Sequence, residues 1–230
     1  SNVRIPVANV VAYSPITDGS AVARRNAVAI EKCDDCHNEL SMHGNNRTDN
    51  IEVCVVCHNP NATDISRRGG DCEAAFGADD QSIDMKYMIH AIHAGGAIGV
   101  PYEVCGYGNS PHEYDFVYPG KLNNCEGCHV EGGYYPVDAT QVLGTTFDAN
   151  APLDPSDDRA VSPNTTVCSA CHVSQLAADH MQQNGGDFDA MKDADSNLVS
   201  SGSETCALCH GEGRSADVGV IHGVGNFQFN

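Results

Sequence analysis

Tryptophan is absent from this 230-residue chain, Phe and Tyr supply only 6% of residues, and all hydrophobic residues together reach 41%. A protein-only core would therefore be thin, and something else is expected to fill the interior. Basic side chains are scarce too: 12 Lys+Arg stand against 31 Asp+Glu, a formal charge of -19. That balance excludes nucleic acid and anionic membranes as partners, because both are bound by neutralising phosphates. No apolar run approaches the roughly 18 residues that span a bilayer, so no transmembrane segment is expected. Ser1 to Val11 has neither the basic start nor the long apolar stretch of a signal peptide, and the chain reads as mature or excised from something larger.

Cysteine is plentiful, with 12 residues, ten of which form five C-x-x-C pairs: Cys33/Cys36, Cys54/Cys57, Cys125/Cys128, Cys168/Cys171 and Cys206/Cys209. Such pairs alone serve as zinc ligands, redox dithiols or haem attachment sites. The next residue decides between them, because His follows every time: His37, His58, His129, His172 and His210. Two thiols at this spacing form thioethers to the two vinyl groups on one porphyrin edge, and the adjacent His reaches the iron from one face. Five covalent c-type haems are expected, and they are the missing core.

A haem iron with an open position binds small molecules, whereas one with two protein ligands mainly transfers electrons. Removing the five proximal His leaves His43, His90, His93, His112, His180 and His222, enough for every haem to be bis-His. Met42 and Met181 sit beside two of these candidates but are read as gap-fillers. Lys32 to His43 reads as a short helix stopped at Gly44, on which His37 and His43 lie about 9 Å apart along the axis and diverge too far to grip one iron. His172 and His180 present the same problem, so each segment should tie two haems together. Asp80 to Ala94 is the clearest helix, stopped by Gly95-Gly96, with His90 and His93 one turn apart and suited to two different haems. His112, in a Gly-Asn-Ser-Pro turn, reads as a loop residue near solvent or a haem propionate.

Cys72 and Cys105 remain and are expected to form a disulfide, closing a loop around the helix with His90 and His93. Asp193, Asp195, Asn197 and Glu204 fall at calcium-loop spacing, but Leu198 stands where that loop wants Gly. A solvated acidic loop is expected there, with calcium as the alternative. The polar stretches Gly132 to Pro163 and Gly185 to Gly202, which include Asp154 to Asp158, should be loops wrapping haem edges.

Several blocks together resemble the OmcA/MtrC family of outer-membrane multihaem cytochromes. They are Lys32-Cys33-Asp34-Asp35-Cys36-His37 with Leu40 and His43-Gly44, Cys54 to His58 with Asn59-Pro60, Met88 to Gly95, Tyr118 to Cys125, and Cys206 to Gly211. The resemblance implies one pentahaem module of that family, with bis-His haems in a staggered array. It supports His43, His90, His93, His180 and His222 as distal ligands and leaves His112 without a counterpart. The expected fold is mainly α with much irregular loop, built around five haems, with little or no sheet. Residues 1–26, including Val3, Ile5, Val7, Val10 and Val11, should be an extended, strand-like segment, and residues 27–230 the pentahaem domain.

By the same resemblance, the expected function is electron carriage toward extracellular acceptors such as metal oxides, flavins, electrodes or partner cytochromes. The expected location is the outer-membrane surface or the extracellular space, with the periplasm as the alternative. A subunit of a conductive filament and a multihaem reductase of nitrite or a similar small molecule are the alternative functions; the leading reading is not an enzyme. Five ferric haems with ionised propionates would take the charge from -19 to about -24, and reduction to about -29. Such a protein favours cationic or metal-bearing acceptors.

Overall fold

The computed structural model describes residues 4–135, 137, 141–148, 155–199 and 202–224. The expectations for Val3 and Asp154 lie outside the described residues. The chain divides into two compact units, Ser1–Cys57 with Asn123–Tyr135 and Gly219–Asn230, and His58–Leu122 with Pro136–Val218.

The first unit holds α1 (Ile30–His37), the short hairpin β1 (Ser41–Met42) and β2 (Arg47–Thr48), and α2 (Ile51–Cys57). It also holds a 3₁₀ turn at Cys125–Gly127 and most of α8 (Val218–His222). The helix expected to run to His43 ends at His37. Asn38 takes a φ of +60° and Asp34 accepts from the Leu40 N–H, which turns the chain into the hairpin. Residues 4–26 carry no helix or strand apart from their anchoring, in which Asn9 exchanges hydrogen bonds with the Thr48 backbone.

The second unit contains α3 (Gly70–Phe76), α4 (Met85–Ile98), the hairpin β3 (Tyr102–Cys105) and β4 (Pro111–Tyr114), and the strands β5 (Thr145–Asp148), β6 (Arg159–Val161) and β7 (Ala190–Met191). Helices α5 (Pro163–Ser169), α6 (Gln175–Gln183) and α7 (Ala207–His210) complete it. Cys72 on α3 and Cys105 on β3 form the expected disulfide, with Cα atoms 5.8 Å apart. Tyr102, almost fully buried, donates its hydroxyl proton to the Ser82 carbonyl and meets Tyr87, which in turn packs edge-on to Phe147.

The expectation of a mainly α fold with little or no sheet is overturned: the described residues form three antiparallel sheets, ordered β1-β2, β3-β4 and β5-β6-β7. The two stretches expected to be loops supply all three strands of the largest sheet. Their polarity concealed short runs of strand-forming residues, Thr145-Thr146-Phe147 and Ala160-Val161, that bury Thr145, Thr146, Ala160 and Val161. Lys192, next to β7, is buried there against Asp158, with its ammonium also on Thr146 Oγ1 at 2.6 Å.

Helix α4 also departs from expectation. It starts later, at an Asp84 N-cap that accepts from the Lys86 N–H, and runs through Gly95 and Gly96 to a left-handed Gly99. The two glycines are there for close approach. A Cβ on Gly96 would lie 2.1 Å from the Asp115 carbonyl oxygen, and one on Gly95 2.7 Å from that of Tyr114. Among the described residues no helix is long and apolar enough to cross a membrane.

Candidate metal centres

In the first unit the C-x-x-C-H motif on α1 is stitched to the one at Cys125–His129. Val28 and His129 form an antiparallel bridge, Ala29 N–H donates to the Cys128 carbonyl, and Val130 N–H donates to that of Ala27. Lys32, immediately before Cys33, adds its ammonium to two carbonyls of the partner motif, Glu126 at 2.7 Å and His129 at 2.6 Å. Helix α2 presents Cys54 and Cys57 at the end of this unit, and their His58 begins the other. His43 sits at the β1–β2 turn with a φ of +53°. Asn123 donates to the His222 carbonyl at 2.8 Å, which brings His222 beside the Cys125 motif.

In the second unit α5 delivers Cys168 and α7 delivers Cys209 and His210. Glu204, two residues before Cys206, reaches across to the first turn of α5. It accepts from the Asn164 and Thr165 backbone N–H groups, Asn164 Nδ2, Thr165 Oγ1 and Ser162 Oγ, all at 2.7–2.8 Å. Burial resists its ionisation, but these donors outweigh burial and hold the carboxyl below its ordinary value. The calcium alternative finds no support here: Glu204 is engaged with α5, while Asp193 binds the backbone N–H groups of Asp195 and Asn197 within its own loop. Among the described residues no group of three or more His, Cys, Asp and Glu is placed to hold a bare metal ion.

Three observations test the fit of haem to these residues. The first is tautomeric. His58, His129, His210, His90 and His93 each turn Nδ1 onto a backbone carbonyl, those of Ile83, Ala27, Ala216, Lys86 and Ile89 respectively. A carbonyl only accepts, so Nδ1 carries the proton and Nε2 the lone pair, the arrangement in which His binds metal. Burial also holds His90 below the usual imidazole range, which keeps it neutral.

The second is a distance. Two axial imidazoles on one iron, each with a metal–nitrogen bond of about 2 Å, place their ring centroids about 6 Å apart. The rings of His180 on α6 and His210 on α7 have centroids 6.0 Å apart and planes at 84°. The third is surface chemistry. Met42, Val56, Val173, Leu208, Val220 and Ile221 adjoin motif or distal residues, and all are exposed. Apolar side chains at these positions suit the faces of a porphyrin, and the residues present fit the group.

Thiol chemistry agrees. Burial pushes Cys33 and Cys168 up to about 11, and raises Cys54, Cys128, Cys171 and Cys206 as well. A redox dithiol is marked by the opposite shift. His93 stands edge-on to Phe116 and Tyr118, at 6.1 Å and 5.4 Å between centroids. His112 is exposed on β4, opposite Val104. Sequence reasoning missed Lys32 and Asn123, although both stand inside motif-bearing blocks, and missed the link from Glu204 to α5.

A family model described as outer membrane cytochrome MtrC/MtrF-like, domains II/IV, matches residues 25–223. Among solved structures, the outer membrane decaheme cytochrome OmcA is similar, with 26% identity over 90% of this chain and a TM-score of 0.45. This chain spans 25% of that one. No curated protein matches.

Proposed function

The chain belongs to the MtrC/MtrF-like family of outer membrane cytochromes, in its domain II/IV region, and from that premise we propose that it binds five c-type haems and passes electrons among them toward extracellular acceptors. Partner cytochromes and metal-bearing or oxidised small-molecule acceptors are the intended recipients, at the outer face of the outer membrane. Each bound haem supplies a one-electron Fe(III)/Fe(II) couple, and a second protein ligand reserves that couple for electron exchange.

The chain's own work is to hold and orient. Cys33 and Cys36, Cys54 and Cys57, Cys125 and Cys128, Cys168 and Cys171, and Cys206 and Cys209 fix the five groups. His37, His58, His129, His172 and His210 ligate from one side, and His43, His90, His93, His180 and His222 from the other. The Nδ1–carbonyl hydrogen bonds set ring orientation ahead of ligation and raise the basicity of Nε2. Residues 27–230 would form the haem-bearing domain, split between the two units above.

The pairing of His180 with His210 carries this reading: their ring centroids lie 6.0 Å apart with the planes nearly perpendicular, a placement from which both would be able to ligate one iron. Perpendicular imidazole planes give a ferric low-spin electron paramagnetic resonance signal with one very large g value. Wild-type protein should be wholly low-spin and show such a signal. His180→Ala should lose it and gain one haem's worth of high-spin iron. A large-g signal that survives His180→Ala would sink the pairing, and high-spin iron in the wild type would favour a reductase with an open position.

A further inference from the structure

We propose that Lys32 and Glu204 are positioning residues of opposite charge, each locking two haem-attachment motifs together, and that they set haem potentials apart, higher beside Lys32 and lower beside Glu204. The inference rests on the five-haem reading above and adds to it an order of potentials.

The placements are parallel. Lys32 precedes Cys33 and binds the carbonyls of Glu126 and His129, so its charge rests on the backbone of the proximal ligand of the next motif. Glu204 precedes Cys206 by two residues and binds the first turn of α5, which carries Cys168. Among the described residues neither side chain forms an ion pair. Both acceptors of Lys32 are neutral carbonyls, and every donor to Glu204 from Ser162, Asn164 and Thr165 is neutral.

Other charges near Lys32 are placed differently. Glu31 and Asp35 are exposed and screened by water, and Asp34 is turned onto the Leu40 N–H. Reduction adds one negative charge to an iron centre and neither makes nor breaks a bond. A fixed cation therefore stabilises the reduced member of the couple and a fixed anion the oxidised one. Electrons are biased toward the haems at Cys33–His37 and Cys125–His129, and away from those at Cys168–His172 and Cys206–His210.

The test uses purified full-length holoprotein carrying Lys32→Gln, Glu204→Gln, both together, or Lys32→Arg. Haem per chain is measured by pyridine haemochromogen and intact mass, and reduction is followed by spectroelectrochemical titration. Glu204→Gln should move a two-haem portion of the reduction curve to higher potential, and Lys32→Gln a different two-haem portion to lower potential. The double variant should show both shifts, and Lys32→Arg should superpose on the wild type. Five haems with unshifted curves, shifts in the same direction, or a Lys32→Arg curve displaced as far as Lys32→Gln would overturn the assignment. So would loss of haem from a Gln variant, which would make the residue an assembly contact alone. Fewer than five haems in the wild type defeats the five-haem reading instead.

Discussion

Every apolar side chain that is buried among the described residues belongs to the second unit: Cys72, Ala91, Ala94, Tyr102, Cys105, Ala160, Val161, Ala170, Met181 and Ala190. Among its described residues the first unit buries only Thr48. Yet each unit joins two C-x-x-C-H motifs with the same device, one charged side chain donating to or accepting from the backbone of the neighbouring motif. Attachment chemistry is thus shared, while the means of staying folded differ. The second unit has a small protein core of its own, made of a disulfide, a three-stranded sheet and a buried Lys192–Asp158 pair. The first unit is built of short helices and turns, and on the five-haem proposal its core would come from the porphyrins.

The sharpest way to break this contrast is to withhold the cofactor. With the ten motif cysteines changed to Ser, hydrogen exchange should find α1, α2 and the Cys125–His129 segment essentially unprotected, while β3–β4 and β5–β7 keep slow amides. Equal protection in the two units would refute the comparison. A smaller effect follows from Cys72→Ala with Cys105→Ala. Opening a loop with a sequence separation of 33 should cost about 4 kcal/mol, seen as an earlier melt of the second unit with the first unit unchanged in haem-loaded protein.

Glu204→Gln should cost least, about 1 kcal/mol once the half-exposed setting of the carboxylate is allowed for. Its pH dependence has a definite sign. The folded carboxyl is held below its ordinary value of 4.5, so its contribution is whole above that value and lost as pH falls through the lower folded one. The stability gap between wild type and variant should be constant from neutral pH to about 5 and close in stronger acid, as thermal melts at each pH would record.

What could be read from the sequence was what is written locally. The attachment motifs need only four neighbouring positions, and Cys72 and Cys105 follow by elimination. Non-local requirements stayed hidden. Gly95-Gly96 looked like a helix stop, whereas its glycines answer to the carbonyls of Tyr114 and Asp115, some twenty residues on. Glu204 looked like the twelfth position of a calcium loop because its true donors lie about forty residues earlier. The strands Thr145–Asp148 and Arg159–Val161 looked like linker because Thr and Arg count as polar, yet a pleated surface suits Thr well. The six spare His were countable, but that His180 faces His210 is a fact of folding alone.

The burial of Cys72 and Cys105 has one more consequence, for the order in which the molecule must be made. Twelve thiols reaching an oxidising compartment together could pair in many wrong ways, and on the five-haem proposal ten of them would have to remain reduced for thioether formation. The two that pair are 0% and 4% exposed, whereas Cys36, Cys57 and Cys209 lie open on the surface. Folding of α3 against the β3–β4 hairpin therefore sorts the thiols, closing the structural bond where later exchange cannot reach it and leaving the rest to the attachment machinery.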